Sequence, residues 1–259
     1  MAGSTTPCLF CGRSGVKLTK EHVYPRWLHR ALNIRGPITI SAGIRPARTV
    51  SEFDLQVREV CETCNGRWLH DLERAFRSVM LLPLNGYGPI LLPQPVQLVV
   101  ALWAVKVWLL LERSLTPMRG EYVSLEQSPE MFRWLREHSE PVPDTQVWVG
   151  AVHAEAASLI SFVSPNWVGT PPDPPVGIAG VFTIGHVLFQ VYMPITGVNR
   201  VPSVQTFALG IGGGLASYLT QIWPHEVEEI SWPPPRIFTV DDLHRLWPPG
   251  GHIQPGPRP

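Results

Sequence analysis

The sequence predicts an α+β protein in two parts, a small N-terminal module built around four cysteines and a larger C-terminal α+β domain. All four cysteines of the 259-residue chain lie in its first quarter. Apolar residues recur at helical spacing directly after them, and runs rich in β-branched and aromatic residues follow residue 145. We therefore divide the chain into residues 1–80, residues 81–248 and a proline-rich tail at residues 249–259, which we expect to be disordered.

Each element is predicted from its own local pattern. Trp68, Leu72, Phe76 and their apolar neighbours recur every three or four residues, which indicates a helix over residues 65–80. Thr239 and Asp242 form a carboxylate version of the capping box and open a short C-terminal helix. The other elements are helices over 95–112 and 129–138 and strands over 146–152, 158–163, 181–184 and 187–193. Residues 210–214 are glycine-rich but lack the spacing of a nucleotide-binding loop, so we interpret them as a turn.

The composition indicates a globular protein whose charge is unevenly distributed. Hydrophobic residues make up 44% and charged residues 16% of the chain, which excludes an intrinsically disordered protein. Residues 1–78 carry 12 Lys and Arg against 7 Asp and Glu, while the remainder carries 9 against 14. A basic N-terminal module suits a polyanionic partner such as nucleic acid, although the same charges would also suit an ordinary solvated surface.

We expect a cytoplasmic protein that does not associate with membranes. The first residues lack the charged and apolar regions of a signal peptide. The most apolar stretch, residues 96–111, is shorter than the roughly 20 residues that span a bilayer. Lys106 also interrupts it, so we interpret this stretch as a buried helix.

Two Cys-x-x-Cys pairs, Cys8 with Cys11 and Cys61 with Cys64, predict one tetrahedral zinc site. Such a site has four protein ligands and no open position, so the zinc would stabilise the fold and would not catalyse a reaction. A thioredoxin-like redox pair would need a single Cys-x-x-Cys beside a βαβ pattern. A disulfide framework would need an oxidising compartment.

Three polar residues lie beside these pairs in the sequence. Glu21 directly precedes His22 soon after the first pair, and Asn65 directly follows Cys64. Neighbouring residues on a strand face opposite sides, but at a strand end or a bulge Glu21 and His22 could approach the same phosphate. Asn65 could cap the following helix or direct its amide oxygen to that same place.

This ordered pattern resembles the HNH, or ββα-metal, nucleases, specifically their zinc-stapled branch that includes phage junction-resolving endonucleases. The resemblance covers about residues 8–75 and continues through Gly66, Arg67 and Trp68. It is also similar to uncharacterised bacterial HNH-type proteins with Glu-His-Val-x-Pro-Arg-Trp and Cys-Asn-x-x-Trp segments. The family commonly has Asp where this chain has Glu21, and the 38 residues between His22 and Cys61 exceed what a compact ββα core needs.

The resemblance implies specific roles. His22 matches the general base that deprotonates the attacking water, and Glu21 and Asn65 match ligands of a catalytic divalent ion, Mg²⁺ or Mn²⁺. Cleavage would leave 5′-phosphate and 3′-hydroxyl ends. Arg26 and Arg67 flank the two halves of this site and are candidates for substrate phosphate contacts, with ordinary surface arginine as the equal alternative.

Other residues near this pattern have open or structural interpretations. The inserted segment between His22 and Cys61 carries four arginines that could contact a phosphate backbone or belong to a solvated loop: Arg30, Arg35, Arg45 and Arg48. His70 is interpreted as surface or structural, because it lies about 140° from Asn65 around an ideal helix. Trp27 and Trp68 are interpreted as packing residues.

The function these residues predict is metal-dependent hydrolysis of DNA phosphodiester bonds, with RNA as an alternative substrate. The C-terminal domain would position substrate, mediate self-association into a homo-oligomer or restrain activity. The alternative is a non-catalytic, zinc-stapled module that binds nucleic acid or protein. A zinc-linked redox sensor is a third interpretation.

Overall fold

The computed structural model describes residues 6–32, 38–40, 48–50, 55–119, 129–155, 161–162, 166–168, 177–194 and 215–246. These residues mix helices and strands, which confirms the α+β class. They form two compact units, the first from the stretch ending at Val79 together with Leu102–Val142, the second from Met80–Ala101 together with the stretch beginning at Pro143. Each unit combines two stretches of chain, whereas the sequence-based division was continuous.

The first unit contains two short antiparallel strand pairs, a π-helical turn and four helices or parts of helices. Its elements are β1 (Leu18–His22), α1 (Arg26–Ala31), β2 (Ile38–Ile40), β3 (Arg48–Val50), β4 (Gln56–Cys61), a π-helical turn (Cys64–Leu69), α2 (His70–Leu84), α3 (Gln94–Arg119) and α4 (Pro129–His138). Strand β1 pairs with β4 and β2 with β3, both antiparallel. The predicted helices over 65–80, 95–112 and 129–138 are confirmed, and the insertion between β1 and β4 includes the β2–β3 hairpin.

Aromatic packing holds the first unit together. Leu72, Phe76 and Met80 repeat every four residues along α2 and are all buried. The ring of Phe76 stacks on that of Trp103 from α3, with centroids 3.7 Å apart and planes at 7°. Phe10, beside the first cysteine pair, contacts the Trp68 ring at a centroid distance of 5.3 Å. The cysteine-bearing segment is thereby packed onto the same core as the helices.

Helix α3 is the predicted buried helix. By length and composition Gln94–Ser114 could cross a membrane, but 72% of its most apolar window is buried within the protein. The rings of Trp103 and Trp108 are fully buried, as is the Lys106 side chain. A core helix shows this degree of burial.

The second unit contains a mixed sheet and a separate strand pair. Its elements are β5 (Ile90–Pro93), β6 (Gln146–Val152), β7 (Ser161–Phe162), β8 (Asn166–Val168), β9 (Gly177–Ile184), β10 (Val187–Pro194), a 3₁₀ turn (Leu215–Tyr218), β11 (Thr220–Trp223), β12 (Glu229–Trp232), β13 (Ile237–Phe238) and α5 (Val240–Leu246). Strands run in the order β11-β6-β10-β9-β7, with β8 beside β9 and β13 parallel to β6. Strand β5 pairs with β12.

Most of the predicted strands are confirmed. Strand β6 has the predicted bounds, and β9 and β10 contain the predicted runs 181–184 and 187–193. In the predicted run 158–163 the structure describes only β7, and residues 210–214 and 249–259 lie outside the described residues. Every residue of β6 is buried, so the side chains on both faces of this strand are covered.

Local contacts explain how the second unit's short elements are held. Asp242 Oδ2 accepts hydrogen bonds from the backbone and hydroxyl of Thr239, whose Oγ1 accepts from the Asp242 N–H, so the predicted capping box opens α5. The Nδ1 atom of His186 lies 3.0 Å from the Val152 carbonyl oxygen. Its ring packs against Gly86, where φ is +80° and a Cβ would lie 2.8 Å from the imidazole. His186 is therefore a packing residue.

Candidate functional site

The fold brings the two cysteine pairs together. The four Sγ atoms of Cys8, Cys11, Cys61 and Cys64 all lie within 4.8 Å of one another, and those of Cys11 and Cys61 are 3.7 Å apart. A tetrahedral zinc ion with Zn–S bonds of about 2.3 Å has sulfurs about 3.8 Å apart along each edge. The cluster therefore has the ligand type and the spacing of a four-thiolate metal site.

Backbone geometry positions these thiols. The first pair lies in a tight turn in which the Gly12 N–H donates to the Cys8 carbonyl at 2.8 Å and the Gly12 φ is +68°, a value that glycine adopts without strain. The second pair spans the end of β4 and the start of the π-helical turn. The Cys61 N–H donates to Cys8 Sγ at 3.2 Å, and the Cys64 N–H donates to Cys61 Sγ at 3.4 Å. Amide donors stabilise thiolate sulfurs, which metal binding requires.

The sulfurs are close enough to perturb one another's protonation. A hydrogen bond from the Cys64 thiol lowers the pKa of Cys8 to about 4, and the same contact raises the pKa of Cys64. Arg13 lies beside the cluster, with Nε 3.5 Å from Cys11 Sγ. The guanidinium of Arg13 offsets part of the negative charge that four thiolates would bring to a zinc ion.

His22 lies at the end of β1, opposite Gln56 on β4. The Nε2 atoms of the two side chains are 3.2 Å apart. If the carboxamide nitrogen of Gln56 faces the ring, His22 Nε2 accepts and the neutral ring carries its proton on Nδ1. If the carboxamide oxygen faces it, Nε2–H donates and Nδ1 is the basic nitrogen. In either orientation Gln56 fixes the direction of the imidazole ring.

Asn65 contacts the same strand pair from the π-helical turn. Its amide nitrogen donates to Thr19 Oγ1 and to the Lys20 carbonyl oxygen, both at 3.0 Å. These two bonds use both amide protons, so the side-chain oxygen is the Asn65 atom that remains for another partner. An amide oxygen is a ligand that Mg²⁺ and similar hard cations accept.

Glu21 is not placed beside His22 and Asn65. Its side chain is buried, and Oε1 lies 3.1 Å from Nζ of Lys106, which also contacts Glu73 at 2.9 Å. Burial raises the pKa of Glu21 even though Lys106 opposes the shift. Burial would lower the pKa of Lys106, but Glu73 and Glu21 outweigh it and raise that pKa.

The reason is strand alternation: β1 stays regular at its last residues, so Glu21 faces the core and His22 faces the opposite side. With Glu21 in an ion pair, the described residues do not assemble the divalent-ion site that the resemblance implies. The metal-ligand role of Glu21 stays a prediction.

The remaining candidate residues are on the surface or in packing contacts. Four of them are exposed: Arg26 at the start of α1, Arg30, Arg67 in the π-helical turn, and His70. Trp27 contacts Phe76, with ring centroids 6.3 Å apart, so it packs as Trp68 does. Arg35 and Arg45 lie outside the described residues, as does the side chain of Arg48.

Sequence reasoning did not identify Lys106, Glu73, Gln56 or Arg58 as part of this region. One signal was available for Lys106, because a single charge inside an apolar helical run must find a partner when the helix is buried. Gln56 and Arg58 become visible only once the register of β1 with β4 is known.

No family model, curated protein or solved structure matches the chain.

Proposed function

We propose that this protein is an endonuclease that hydrolyses DNA phosphodiester bonds, with His22 as its general base. The observation that carries the proposal is that His22, oriented by Gln56, lies on the strand to which the Asn65 amide donates a hydrogen bond. Asn65 directly follows Cys64 of the four-cysteine cluster. The resemblance described above assigns these positions to catalysis.

In the proposed reaction His22 takes a proton from water as the water oxygen bonds to phosphorus and the bond from phosphorus to the 3′ oxygen breaks. A neutral imidazole can accept that proton. A divalent ion, when bound, would stabilise the charge on the leaving oxygen. Asn65 offers one oxygen to such an ion, but Glu21 would first have to leave Lys106, so the proposed step is confined to His22.

The zinc site has a separate, structural role in this proposal. Zinc would be held by Cys8, Cys11, Cys61 and Cys64, and these join the first turn to the end of β4 and the start of the helix that follows. The same ion would thereby fix Asn65, which directly follows Cys64. Loss of the metal would remove both the fold of this segment and the placement of Asn65 against β1.

The test compares nicking of supercoiled plasmid by the full chain and by His22→Ala, with Mg²⁺ or Mn²⁺ present. His70→Ala is the matched control, since it removes an exposed histidine from the same unit. All three proteins are brought to equal zinc content, so that misfolding is not mistaken for loss of chemistry. Nicking that survives in His70→Ala and is lost in His22→Ala supports the proposal, and equal nicking by all three contradicts it.

A second candidate function is a non-catalytic module that binds nucleic acid or protein. It is favoured by one specific observation, the buried ion pair that engages Glu21 with Lys106. Under this alternative no ion supports cleavage by any form, and His22→Ala binds its partner as the unmodified chain does.

A further inference from the structure

We propose that Lys20 and Arg58 on the outward face of the β1–β4 strand pair bind the phosphate backbone of nucleic acid. This rests on the proposed function, because the phosphates held there would belong to the strand that His22 attacks. It differs from the sequence-based expectation, which placed phosphate contacts at Arg26 and Arg67.

Strand alternation puts these side chains on one face. Glu21 pairs with Val57 in the register, and both are buried, so they define the core face of the strand pair. Their neighbours along each strand face the other way. The outward face therefore presents Lys20 and His22 from β1, and Gln56 and Arg58 from β4, with Lys20 and Arg58 exposed.

Glu59, an acidic residue opposite Lys20 in the register, is already engaged in an ion pair with Arg113. The register shifts between Thr19 and Glu21, so Arg58 and Glu59 together lie opposite Lys20. The Glu59 carboxylate accepts two hydrogen bonds from the Arg113 guanidinium, at 2.7 and 2.5 Å. The next acidic residue along the chain, Glu62, pairs with Lys17 at 3.2 Å.

Lys20 and Arg58 are thereby left as uncompensated positive charges. Among the residues that the structure describes, neither forms an ion pair. A guanidinium can hold a phosphate through two parallel hydrogen bonds, and an ammonium adds a point charge beside it. Two such cations on one face can each contact a phosphate of the same nucleic-acid backbone.

The position of this pair relative to His22 fits a nuclease substrate. Lys20 and His22 are two residues apart on the same face of β1, which separates their Cα atoms by about 6.6 Å. The Lys20 carbonyl also accepts the hydrogen bond from Asn65. A strand held by Lys20 and Arg58 would therefore pass directly beside the residues assigned to catalysis.

The test is fluorescence anisotropy with labelled duplex and single-stranded DNA across a salt series. All proteins carry His22→Ala so that the DNA stays intact, and all are matched in zinc content. Adding Lys20→Ala and Arg58→Ala should weaken duplex binding by about 10- to 100-fold at about 0.1 M salt. The slope of log K against log salt concentration should become shallower by about 1.8, the value for two lost phosphate contacts.

The matched control adds Lys17→Ala and Arg74→Ala, which removes two charges that are exposed and already ion-paired in the same unit. It should keep most of the affinity and most of the salt slope. Equal weakening by both double variants, or no weakening by Lys20→Ala with Arg58→Ala, would overturn the inference.

The plasmid assay separates this result from the fate of the proposed function. If the Lys20 and Arg58 variant binds DNA as before and the unmodified chain nicks plasmid, the phosphate-binding role of Lys20 and Arg58 is wrong and the nuclease proposal stands. If the Lys20 and Arg58 variant selectively loses DNA binding and the unmodified chain does not cleave with any ion, the phosphate-binding role stands and the catalytic proposal is wrong. Absence of DNA binding by every form overturns the inference.

Discussion

Replacing Lys106 by Met should strongly destabilise the first unit of the protein. The Lys106 side chain has no solvent exposure, and its ammonium lies 3.1 Å from Glu21 and 2.9 Å from Glu73, whose side chains are only 7% and 20% exposed. Met has a similar length but no charge, so the substitution leaves two buried carboxylates without their cation.

The expected magnitude follows from that burial. Breaking a buried ion pair by removing one partner costs about 3–5 kcal/mol, because the remaining charge is left uncompensated. For a protein of this size that corresponds to a decrease in Tm of roughly 6–20 °C. A second substitution, Glu21→Gln, removes one of the stranded carboxylates and should restore at least about 1 kcal/mol.

The cost should also depend on pH in a defined direction. The folded-state pKa of Glu21 is raised above its ordinary value of 4.5, chiefly by burial. A raised carboxyl pKa means that the folded state binds the proton more tightly, so the stability present below pH 4.5 is lost as pH rises through the folded-state pKa. Lys106→Met removes the ammonium that lowers this pKa, so the variant should fall further behind the unmodified chain as pH rises.

Thermal unfolding followed by circular dichroism, on zinc-matched proteins, measures these effects. Lys17→Met is the control, because Lys17 and Glu62 form an ion pair whose side chains are 74% and 67% exposed. Removal of an exposed pair should change stability by no more than about 1 kcal/mol. A Lys106→Met protein as stable as this control, with no recovery on adding Glu21→Gln, would refute the account of the buried pair.

Three further outcomes are expected. Cys64→Ser should lower the zinc stoichiometry, measured by metal analysis, and should lower Tm, because the metal would no longer join the first turn to the end of β4. If the cluster binds no zinc, Cys64→Ser and the unmodified chain should have equal zinc contents. Thr239→Ala removes the two hydrogen bonds of the Thr239 hydroxyl in the cap on α5 and should cost about 1 kcal/mol in chemical denaturation. An unchanged stability would show that this hydroxyl does not cap the helix. Gly150→Ala would place a Cβ 2.7 Å from the ring of Phe238 and should lower the free energy of unfolding by about 1–3 kcal/mol. An unchanged Tm would show that this ring can move.

Local patterns in the sequence were enough to predict four of the helices, the strands over 146–152, 181–184 and 187–193, and the cysteine cluster. The Cys-x-x-Cys spacing predicted four sulfurs around one point, and the structure places them within 4.8 Å of one another. The capping box at Thr239 and the strand over residues 146–152 were also predicted in place, because both depend on near neighbours in the chain. These signals need no knowledge of distant contacts.

The partner of Glu21 could not be predicted, because it lies far away in the sequence. Lys106 belongs to a helix that the sequence analysis assigned to the other part of the chain, yet its ammonium contacts both Glu21 and Glu73. Contacts also group residues 102–142 with the first unit, a grouping that local sequence patterns do not indicate. Strand alternation alone would have favoured the observed orientation of Glu21, whereas the resemblance favoured a position beside His22.

The rate of plasmid nicking by the unmodified chain and by His22→Ala, at equal zinc content and with the same divalent ion, tests the central claim most directly. Loss of a general base typically lowers the rate by about 10²- to 10⁴-fold. The account predicts a decrease of that size, with His70→Ala unchanged. Equal rates for the unmodified chain and His22→Ala would contradict it.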